Sequence, residues 1–535
     1  MIATAANLAW LASQAGARRK FCRQLGSPAE TQARVLRELL RRNATSAFGR
    51  HHGFAGIRTS AEYAARVPLA SYDDFEPWIE RIKRGEDAVL TTEPVTHLIP
   101  TSGSSGARKL IPFTTQLQSE FDAAIGPWIS HLYAKNPRAL LGPSYWSISP
   151  AVQRLETEQS AVRIGFDDDV SYLGGFRRRL VSASMAVPSE LRLVTEIETF
   201  ILLTLVCLLR RRDLRLISVW HPSFLILLLD ALPRHWEAAL EIIRSGRLPD
   251  GVTVPPGVET VLRLRASPAR ANEVHRIGPE NPNEFWPHLA VISCWTDAHA
   301  ALGAAVLARR FPHAVLQPKG LLATEAFVTL PFEGRHPVAV NSHYFEFVDD
   351  SGVIQPVEAL RQDQIYEVVV TTGGGLWRYR LGDRVGVEGF VARTPSLRFI
   401  GRAGNVCDFF GEKISEEFVI HVVHVLQQTR PSSARFAMLA ADTDGTSGNY
   451  TLYWEGDSPP AADTVDRLLR KNPHYNWCRQ IGQLGQAHVF SIDAGATAAY
   501  MRRLSASGQK IGDIKPTALS RLSGWDKCFA GHLVV

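Results

Sequence analysis

The feature that most constrains the fold is an alternation of strand-like and helix-like segments from Leu140 onward. "LRLISVW" precedes "PSFLILLLDAL", "LAVISCW" precedes "DAHAALGAAVLARRF", and "HAVLQP" follows. The helix-like segment "HWEAALEIIRSG" ends at a glycine, which suits a helix C-terminus. Alternation of this kind predicts parallel strands covered by helices, and therefore a layered α/β architecture.

The pattern changes beyond Glu325, where "AFVTLPF", "QIYEVVVTT" and "SLRFIG" alternate apolar and polar residues and predict an added antiparallel β region. After "IGRAGN" the chain offers a new set of helices and strands, enough for a core of its own. Because 535 residues exceed what one core usually supports, we expect a large N-terminal domain over residues 1–401. A small, mobile α+β domain over residues 402–535 would follow a hinge near Arg402 to Gly404.

Composition excludes several classes of protein. The 59 basic and 53 acidic residues leave a net charge of only +6, without a basic stripe that indicates nucleic acid. The six cysteines are scattered, which is typical of free thiols in a reducing compartment. The apolar run from Phe200 to Leu209 is shorter than the roughly 20 residues of a membrane span. The N-terminal charges follow an apolar stretch, unlike those of a secretory signal. We therefore expect a soluble cytoplasmic protein that begins with a helix. A monomer is the default expectation, because no residue pattern bears on the oligomeric state.

A loop rich in glycine and serine, "TSGSSGARK", runs from Thr101 to Lys109, ahead of a predicted helix. Glycine permits turns that point successive N–H groups inward, serine hydroxyls add donors, and the lysine adds a positive charge. The loop therefore indicates phosphate binding, and specifically the triphosphate of ATP. It does not fit the Walker pattern, because Arg108 stands where that pattern requires glycine. Taken alone, the loop also fits a flexible surface turn.

Further candidate ligand-binding residues occur in four later stretches. Thr324 and Glu325 pair a hydroxyl with a carboxylate, which suits a phosphate oxygen and a hard cation such as Mg²⁺. Asp383 follows a Leu-Gly turn out of a strand, and a rigid carboxylate suits vicinal ribose hydroxyls. Arg402 at the domain junction is in place for phosphate or ribose, and Lys515 lies in a glycine-flanked loop that a mobile domain can carry into a shared cleft. Each residue taken singly also fits an ordinary turn or surface position.

The order of these stretches resembles the acyl-adenylate-forming superfamily, whose phosphate loop matches Thr101 to Lys109 position for position. Within it, the sequence is most similar to the Gretchen Hagen family of acyl acid amido synthetases, the auxin- and jasmonate-conjugating enzymes, and their bacterial relatives. The likeness is strongest from about Asn341 to Val419. It rests on "YEVVVTTGGGLWRYRLGDRVGVEGF", "HYFEFV", "HWEAALEIIRSGRL" and "PSLRFIGRAGNVCDFFGEKISEEFV".

This chain also departs from the family pattern. Plant members carry an extra residue inside the glycine-serine loop, and they have two serines where Ala323 and Thr324 precede Glu325 here. The tail is similar only around Lys515 and Pro516. The assignment of the tail lysine therefore rests on the shortest match.

The resemblance implies roles for the residues of the ATP site. Thr324 would contact the α-phosphate, and Glu325 would hold Mg²⁺. Asp383 would bind the ribose, with Tyr379 near the base or ribose and Arg402 near ribose or phosphate. The phosphates would be bound by the loop residues Thr101, Ser102, Gly103, Ser104, Ser105, Gly106 and Lys109. The catalytic lysines would be Lys109 and Lys515. Lys515 would approach the α-phosphate and the acyl carboxylate.

The resemblance also implies an activity. An acid would be activated as acyl-AMP with release of pyrophosphate, and its acyl group would pass to an amine, which the resemblance suggests is that of an amino acid, to form an amide. The acyl pocket should lie in the middle α/β section, with Trp220, His221, Trp295 and Thr296 at strand ends as candidates. Core packing is the alternative for each of these four side chains. Aromatic rings among them favour an aromatic or medium-sized apolar acid.

Three other functions remain open at this point. An acyl-CoA ligase would share the first half-reaction and pass the acyl group to a thiol. A nucleotide or small-acid sensor would keep the fold without catalysis, although it would have no need of the tail lysine. A membrane-peripheral role has the N-terminal helix as its only support.

Overall fold

The computed structural model describes residues 2–101, 109–148, 160–165, 175–402, 404–428, 434–443, 448–507, 509 and 511–534. Helices α1 to α19 span, in order, Ile2–Ser13, Ala15–Leu25, Pro28–Arg42, Ala47–His51, Ser60–Arg66, Tyr72–Lys83, Thr115–Lys135, Gly175–Ser184, Ile197–Leu209, Pro222–Asp230, Leu232–Ser245, Val258–Leu262, Pro268–Ile277, Pro282–Phe285, Ala300–Arg310, Glu416–Gln428, Ala462–Leu469, Pro473–Gln480 and Ala496–Ala506.

Strands β1 to β19 span, in order, His97–Pro100, Leu110–Phe113, Ser144–Trp146, Arg163–Ile164, Leu216–Ser218, Val291–Cys294, Val315–Pro318, Tyr344–Asp349, Ile354–Pro356, Ile365–Thr371, Tyr379–Val391, Thr394–Arg402, Val406–Cys407, Ile414–Ser415, Phe436–Thr443, Gly448–Glu455, His488–Ile492, Leu519–Ser520 and Gly531–Leu533. The model confirms the layered α/β architecture with an added antiparallel region.

The middle of the chain forms a parallel sheet with strand order β3-β5-β6-β7, as the alternation predicts. Helices α9 and α10 cover it and are apolar nearly all round, so both are buried. Helix α11 ends at Gly246, whose φ of +70° is a left-handed conformation that glycine adopts readily. These elements place the carboxyl ends of four parallel strands along one edge.

An antiparallel sheet of order β12-β11-β10-β8-β9 forms the added region. The predicted strand "AFVTLPF" is not one, because its residues make only isolated bridges, such as Thr329 to Val338. The glycine-rich stretch before β11 is held tightly. Gly375 has a φ of +96°, and a Cβ there would lie 2.6 Å from the Cβ of Leu90. Glu120 of α7 accepts hydrogen bonds from the backbone N–H of Gly373.

The last stretch forms a mixed sheet of order β18-β15-β16-β17-β19. Helices α16 and α17 cover one face, where residues such as Val419 and Trp454 form a separate apolar cluster. The opposite face, which includes Phe436 and Tyr453, is continuous with the apolar core of the middle section. Helix α18 and strands β18 and β19 were not predicted from the sequence.

Membrane insertion finds no support in the helices. Within the described part of the chain, none combines the length and apolar character needed to cross a bilayer. The apolar run that is too short for a membrane span lies in α9, in which every residue from Phe200 to Leu209 is buried.

Candidate active site

The carboxyl edge of the parallel sheet carries large aromatic side chains and one lysine. Trp146 ends β3, Trp220 follows β5, Trp295 follows β6, and Lys319 follows β7. Parallel α/β sheets bind their ligands in the crevice outside the carboxyl ends of the strands. Trp146, Trp220 and Trp295 are only half-buried. This edge is therefore the candidate site.

The ends of the glycine-serine loop are held by a hairpin. The N–H of Thr101 donates to the carbonyl of Lys109 (2.9 Å), which closes the antiparallel pair of β1 and β2. The ammonium of Lys109 lies 5.6 Å from the ring centroid of Tyr72, whose hydroxyl accepts from the N–H of Leu110. Strand β2 separates the loop from α7, so the predicted helix does not follow the loop directly. The loop residues Ser102, Gly103, Ser104, Ser105 and Gly106 lie outside the described residues.

Thr324 and Glu325 occupy the tip of a tight turn. The N–H of Ala323 donates to the carbonyl of Ala326 (3.0 Å), so the chain reverses around the two residues between them. Thr324 is half-buried, whereas Glu325 is only 3 % exposed. Oε1 of Glu325 is buried without a hydrogen-bond partner among the described residues. The pair therefore lies in a turn, as the alternative allowed, but Glu325 is not at the surface.

The surroundings of this carboxylate can be compared with those of a Mg²⁺ site, which the sequence resemblance implies at Glu325. Among the described residues, no group of three or more histidine, cysteine or acidic side chains could hold a metal. Mg²⁺ in nucleotide enzymes is commonly bound by one or two carboxylates together with phosphate oxygens and water. The carboxylate of Glu325, whose Oε1 has no hydrogen-bond partner among the described residues, fits that mode of binding.

Asp383 and Arg402 face each other across two strands. They are direct partners in the antiparallel pair of β11 and β12, and Arg402 Nε lies 3.6 Å from Asp383 Oδ1. The predicted Leu-Gly turn before Asp383 is wrong, because β11 runs through it. Gly382 instead has a φ of +80° where the register with β10 shifts, which is a β-bulge. The bulge re-aims the aspartate side chain without ending the strand.

The charges of these residues influence one another. Burial raises the pKa of Asp383 to about 6, Arg402 opposes this rise, and Glu325 adds to it. Burial and the charges of Glu325 and Asp383 raise the pKa of Tyr379, whose hydroxyl has no hydrogen-bond partner among the described residues. The charge of Lys515 in turn lowers the pKa of Asp383. These five residues therefore interact electrostatically with one another.

Lys515 reaches the sheet edge from the C-terminal stretch. Its ammonium lies 4.3 Å from the centroid of the Trp295 ring, and its carbonyl accepts a hydrogen bond from the hydroxyl of Tyr500. The Lys515 side chain is exposed. The structure thus brings the tail lysine to the same edge as the candidate acyl-pocket residues.

The four candidate acyl-pocket residues behave differently. The rings of Trp220 and Trp295 lie with centroids 5.8 Å apart and planes inclined by 35°. His221 is buried and caps α10, since its Nδ1 accepts from the N–H of Ser223, and burial lowers its pKa. Thr296 is half-buried. The tryptophan pair is therefore the strongest part of the pocket prediction, and His221 has a local structural role.

Lys319 was not predicted as a site residue. It is 3 % exposed, and its ammonium donates to Ser218 Oγ (2.7 Å). The ammonium also faces the rings of Trp128, Trp146 and Trp220 at 4.8, 5.7 and 5.0 Å from their centroids. The signal in the sequence was a lysine placed directly after a strand of the parallel sheet.

Comparison with family models covers most of the chain. The GH3 family N-terminal domain matches residues 17–314, the central domain matches residues 336–402, and the C-terminal domain matches residues 417–523. The site residues from Tyr379 to Arg402 fall in the central match.

Known proteins agree with these matches. A probable indole-3-acetic acid-amido synthetase, GH3.12 of Oryza sativa subsp. japonica, is 25% identical over 92% of each chain. The indole-3-acetic acid-amido synthetase GH3.8 of Oryza sativa subsp. indica is 26% identical over 90% of this chain and 87% of its own.

Solved structures show the same fold. The AtGH3.15 acyl acid amido synthetase in complex with 2,4-DB superposes with a TM-score of 0.84 at 20% identity, over 96% of each chain. A 2-hydroxyisobutyryl-CoA ligase has a TM-score of 0.50 at 12% identity, over 93% of this chain and 91% of its own. The chain therefore belongs to the GH3 family and is an ATP-dependent ligase that forms amide bonds.

Proposed function

We propose that this enzyme activates a carboxylic acid as its acyl-adenylate and then transfers the acyl group to the amine of an amino acid. The observation that carries the proposal is the position of Lys515, which lies over Trp295 at the carboxyl edge of the parallel sheet and interacts electrostatically with Asp383 of the antiparallel sheet. Asp383 in turn interacts with Glu325 and Tyr379. These residues come from distant parts of the sequence. Binding of a nucleotide and an acid at one site would explain why these residues lie close together.

In the first half-reaction an oxygen of the acid attacks the α-phosphorus of ATP. The bond from that phosphorus to the bridging oxygen breaks, and pyrophosphate leaves with the electron pair. Negative charge grows on the phosphoryl oxygens, where the ammonium groups of Lys109 and Lys515 stabilise it. The serines and glycines between Thr101 and Lys109 add donors, and Thr324 contacts the α-phosphate.

The nucleotide is held by residues of the antiparallel sheet. Asp383, once ionised, accepts hydrogen bonds from the ribose hydroxyls, and Tyr379 and Arg402 flank the ribose and phosphate. Glu325 would hold Mg²⁺, because its buried Oε1 has no hydrogen-bond partner among the described residues. When bound, that ion neutralises charge on the phosphate oxygens.

In the second half-reaction the amine nitrogen attacks the acyl carbonyl carbon. The bond from that carbon to the AMP oxygen breaks, AMP leaves, and the amine releases a proton. Rotation of residues 402–535 about the junction at Arg402 to Gly404 would move Lys515 away and admit the amine. Gly404 has a φ of +88°, and a Cβ at this position would meet no atom within 4 Å. A cytoplasmic location, which supplies ATP and keeps the six free cysteines reduced, belongs to the same proposal.

The test is a screen of carboxylic acids for ATP-dependent pyrophosphate release, repeated with each of the twenty amino acids. Mass spectrometry of the products then identifies an amide. An acid that forms only a thioester when CoA is added would instead make the protein an acyl-CoA ligase. If ATP binds while no acid drives pyrophosphate release, the protein is a sensor.

A further inference from the structure

A completely buried histidine contacts the chain next to the turn that carries Glu325. This residue is His343, the first of the stretch "HYFEFV". Its Nε2 accepts a hydrogen bond (3.0 Å) from the backbone N–H of Phe327, two residues after the glutamate. The carbonyl of Phe327 accepts from the hydroxyl of Ser342 (3.3 Å). Both polar backbone groups of Phe327 are therefore held by side chains that are neighbours in the sequence.

The hydrogen bonds of His343 determine which ring nitrogen carries the proton. A backbone N–H can only donate, so Nε2 is the acceptor and carries no proton. The proton of the neutral ring is then on Nδ1, which lies 2.8 Å from Oε2 of Glu120 and donates to it. The carboxylate of Glu120 thereby selects the one tautomer of His343 that can accept from Phe327.

Glu120 also contacts the glycine-rich stretch before β11. The N–H of Gly373 donates to both of its carboxylate oxygens, at 3.0 and 2.9 Å. The carbonyl of Gly373 accepts from Oγ1 of Thr114 (2.9 Å), the residue that caps the N-terminus of α7. A Cβ at Gly373 would lie 2.6 Å from Oε1 of Glu120, so a larger residue would displace the carboxylate. The glycine-rich stretch is therefore fixed against α7.

One carboxylate thus connects two segments that carry proposed nucleotide ligands. Through His343 it reaches the turn that carries Glu325. Through its own bonds to Gly373 it reaches the stretch that leads into β11 and Asp383. We propose that Glu120 and His343 form a positioning pair, which holds the turn where the Glu325 carboxylate meets the Mg²⁺ of a bound nucleotide. The role of Glu325 rests on the proposed function, and neither member of the pair has to contact the nucleotide.

Positioning of this kind affects ion binding because a Mg²⁺ site tolerates little error in the placement of its ligands. Loss of a residue that orients a metal ligand typically lowers metal affinity about 10- to 100-fold. In His343→Phe the ring can keep its contact with Phe345, whose centroid lies 5.9 Å away, but the N–H of Phe327 loses its acceptor. A buried N–H without an acceptor is costly, so we expect the turn to move until that group finds one.

The test measures ATP binding by calorimetric titration, once with Mg²⁺ and once with excess EDTA. The ratio of the two affinities reports the contribution of the ion. In the unaltered protein we expect a ratio of about ten or more, and Glu325→Gln gives the ratio that remains without the proposed ligand. His343→Phe should lose most of the gain from Mg²⁺. His343→Gln should recover part of it, because the oxygen and nitrogen of its amide can replace the acceptor and the donor of the ring.

A His343→Phe protein that keeps the ratio, even with weaker ATP binding overall, would overturn the proposal, because that result indicates a purely structural role. Should this variant not fold, Glu120→Gln gives the same comparison. An amide offers one acceptor oxygen where the carboxylate offers two, so it cannot serve both the histidine and Gly373. Glu120→Gln should therefore lower the ratio as well, and an unchanged ratio would count against the pair.

His131 provides a matched control. It is also buried, and its Nε2 also accepts from a backbone N–H (3.0 Å), that of Glu333. The turn at Glu333 carries no proposed ligand, so His131→Phe should leave the ratio unchanged. A ratio that falls equally in the two histidine variants would overturn the proposal.

Because titration of ATP requires no acid, the two proposals fail separately. If the ratio depends on His343 while no acid drives pyrophosphate release, only the proposed function is wrong. If acids drive pyrophosphate release while His343→Phe keeps the ratio, only the positioning pair is wrong.

Discussion

Asp383 and Arg402 face each other in the β11–β12 pair, with Arg402 Nε 3.6 Å from Asp383 Oδ1. Despite this neighbour, burial raises the pKa of Asp383 to about 6. Ribose binding through two accepted hydrogen bonds requires the ionised form. We therefore expect the KM for ATP to fall as the pH rises through about 6, and Asp383→Asn to remove this dependence. Steady-state kinetics of pyrophosphate exchange from pH 5 to 8 would measure it, and a pH profile unchanged in Asp383→Asn would contradict it.

The same carboxyl group affects stability with the opposite sign from most aspartates. Its pKa in the folded protein exceeds the ordinary value of 3.8, so the folded state binds the proton more tightly than the unfolded state. Stability contributed by the protonated form is complete below pH 4 and is lost as the pH rises to about 6, amounting to about 3 kcal/mol. Urea denaturation of the unaltered protein and Asp383→Asn at pH 4.5 and 7 should show about 2 kcal/mol of that difference, because the carboxyl group of the unfolded chain is already mostly ionised at pH 4.5. A gap that does not change with pH would count against it.

Lys515 should matter for the first half-reaction. We expect Lys515→Ala to slow acid-dependent ATP–pyrophosphate exchange about 100-fold or more, because a positioned charge on the transition state contributes roughly 3–4 kcal/mol. Lys527→Ala removes another exposed lysine of the same stretch and serves as the control, with no expected effect. An unchanged exchange rate in Lys515→Ala would show that another lysine performs this role.

Glu325 should lower the stability of the nucleotide-free protein while it supports activity. Its buried Oε1 has no hydrogen-bond partner in the described structure, although its charge interacts with that of Arg402. Glu325→Gln removes a buried charge that lacks a hydrogen bond at this oxygen and should raise the Tm in the absence of nucleotide by a few degrees. The same change should weaken the dependence of pyrophosphate exchange on Mg²⁺ and lower its rate at least tenfold. Calorimetry and a Mg²⁺ titration measure the two effects.

Glu346 offers a matched control for that change. It is buried too, but it accepts two hydrogen bonds from Arg378, at 2.9 and 3.0 Å. Glu346→Gln should therefore lower the Tm, in contrast to Glu325→Gln. If both variants shift the Tm in the same direction, the difference in partners is not what decides the stability at these sites.

The Arg378–Glu346 pair also predicts a large loss of stability. Arg378 donates to the carbonyls of Ala64 and Val67 as well, so it joins the N-terminal helices to the antiparallel sheet. Arg378→Met leaves a buried carboxylate unpaired and should lower the free energy of unfolding by about 3–5 kcal/mol. Adding Glu346→Leu should recover part of this loss. A double variant no more stable than the single one would contradict the ion-pair explanation.

Much of the fold was accessible from local patterns, because those patterns depend on near neighbours in the chain. The parallel strands and the left-handed Gly246 at the end of α11 are examples. The prediction of a strand at "AFVTLPF" was wrong because alternation alone does not supply a neighbouring strand. This segment forms only isolated bridges, such as that of Thr329 to Val338. The prediction of a turn at Gly382 was wrong for a related reason. A glycine with positive φ occurs in turns and in β-bulges alike, and the sequence does not distinguish the two.

The sequence indicated some residues of the candidate site and missed others. The order of motifs led to Glu325, Asp383 and Lys515 together, although burial of the glutamate depends on packing that no local pattern records. Lys319 was missed because its aromatic neighbours come from α7, β3 and the end of β5, which meet only in the folded chain. His221 stands directly before a proline at the start of a helix, a position that favours a capping side chain.

The hydrogen bond that joins Thr101 to Lys109 separates the tip of the hairpin from its base. Below it, β1 and β2 pair in register from His97 with Phe113 to Pro100 with Leu110. One additional residue in a closed segment of this length costs only about 0.1 kcal/mol in chain entropy. Length polymorphism at the tip is consequently almost neutral for folding, so this segment can diversify among homologues while the Lys109–Tyr72 contact stays where it is.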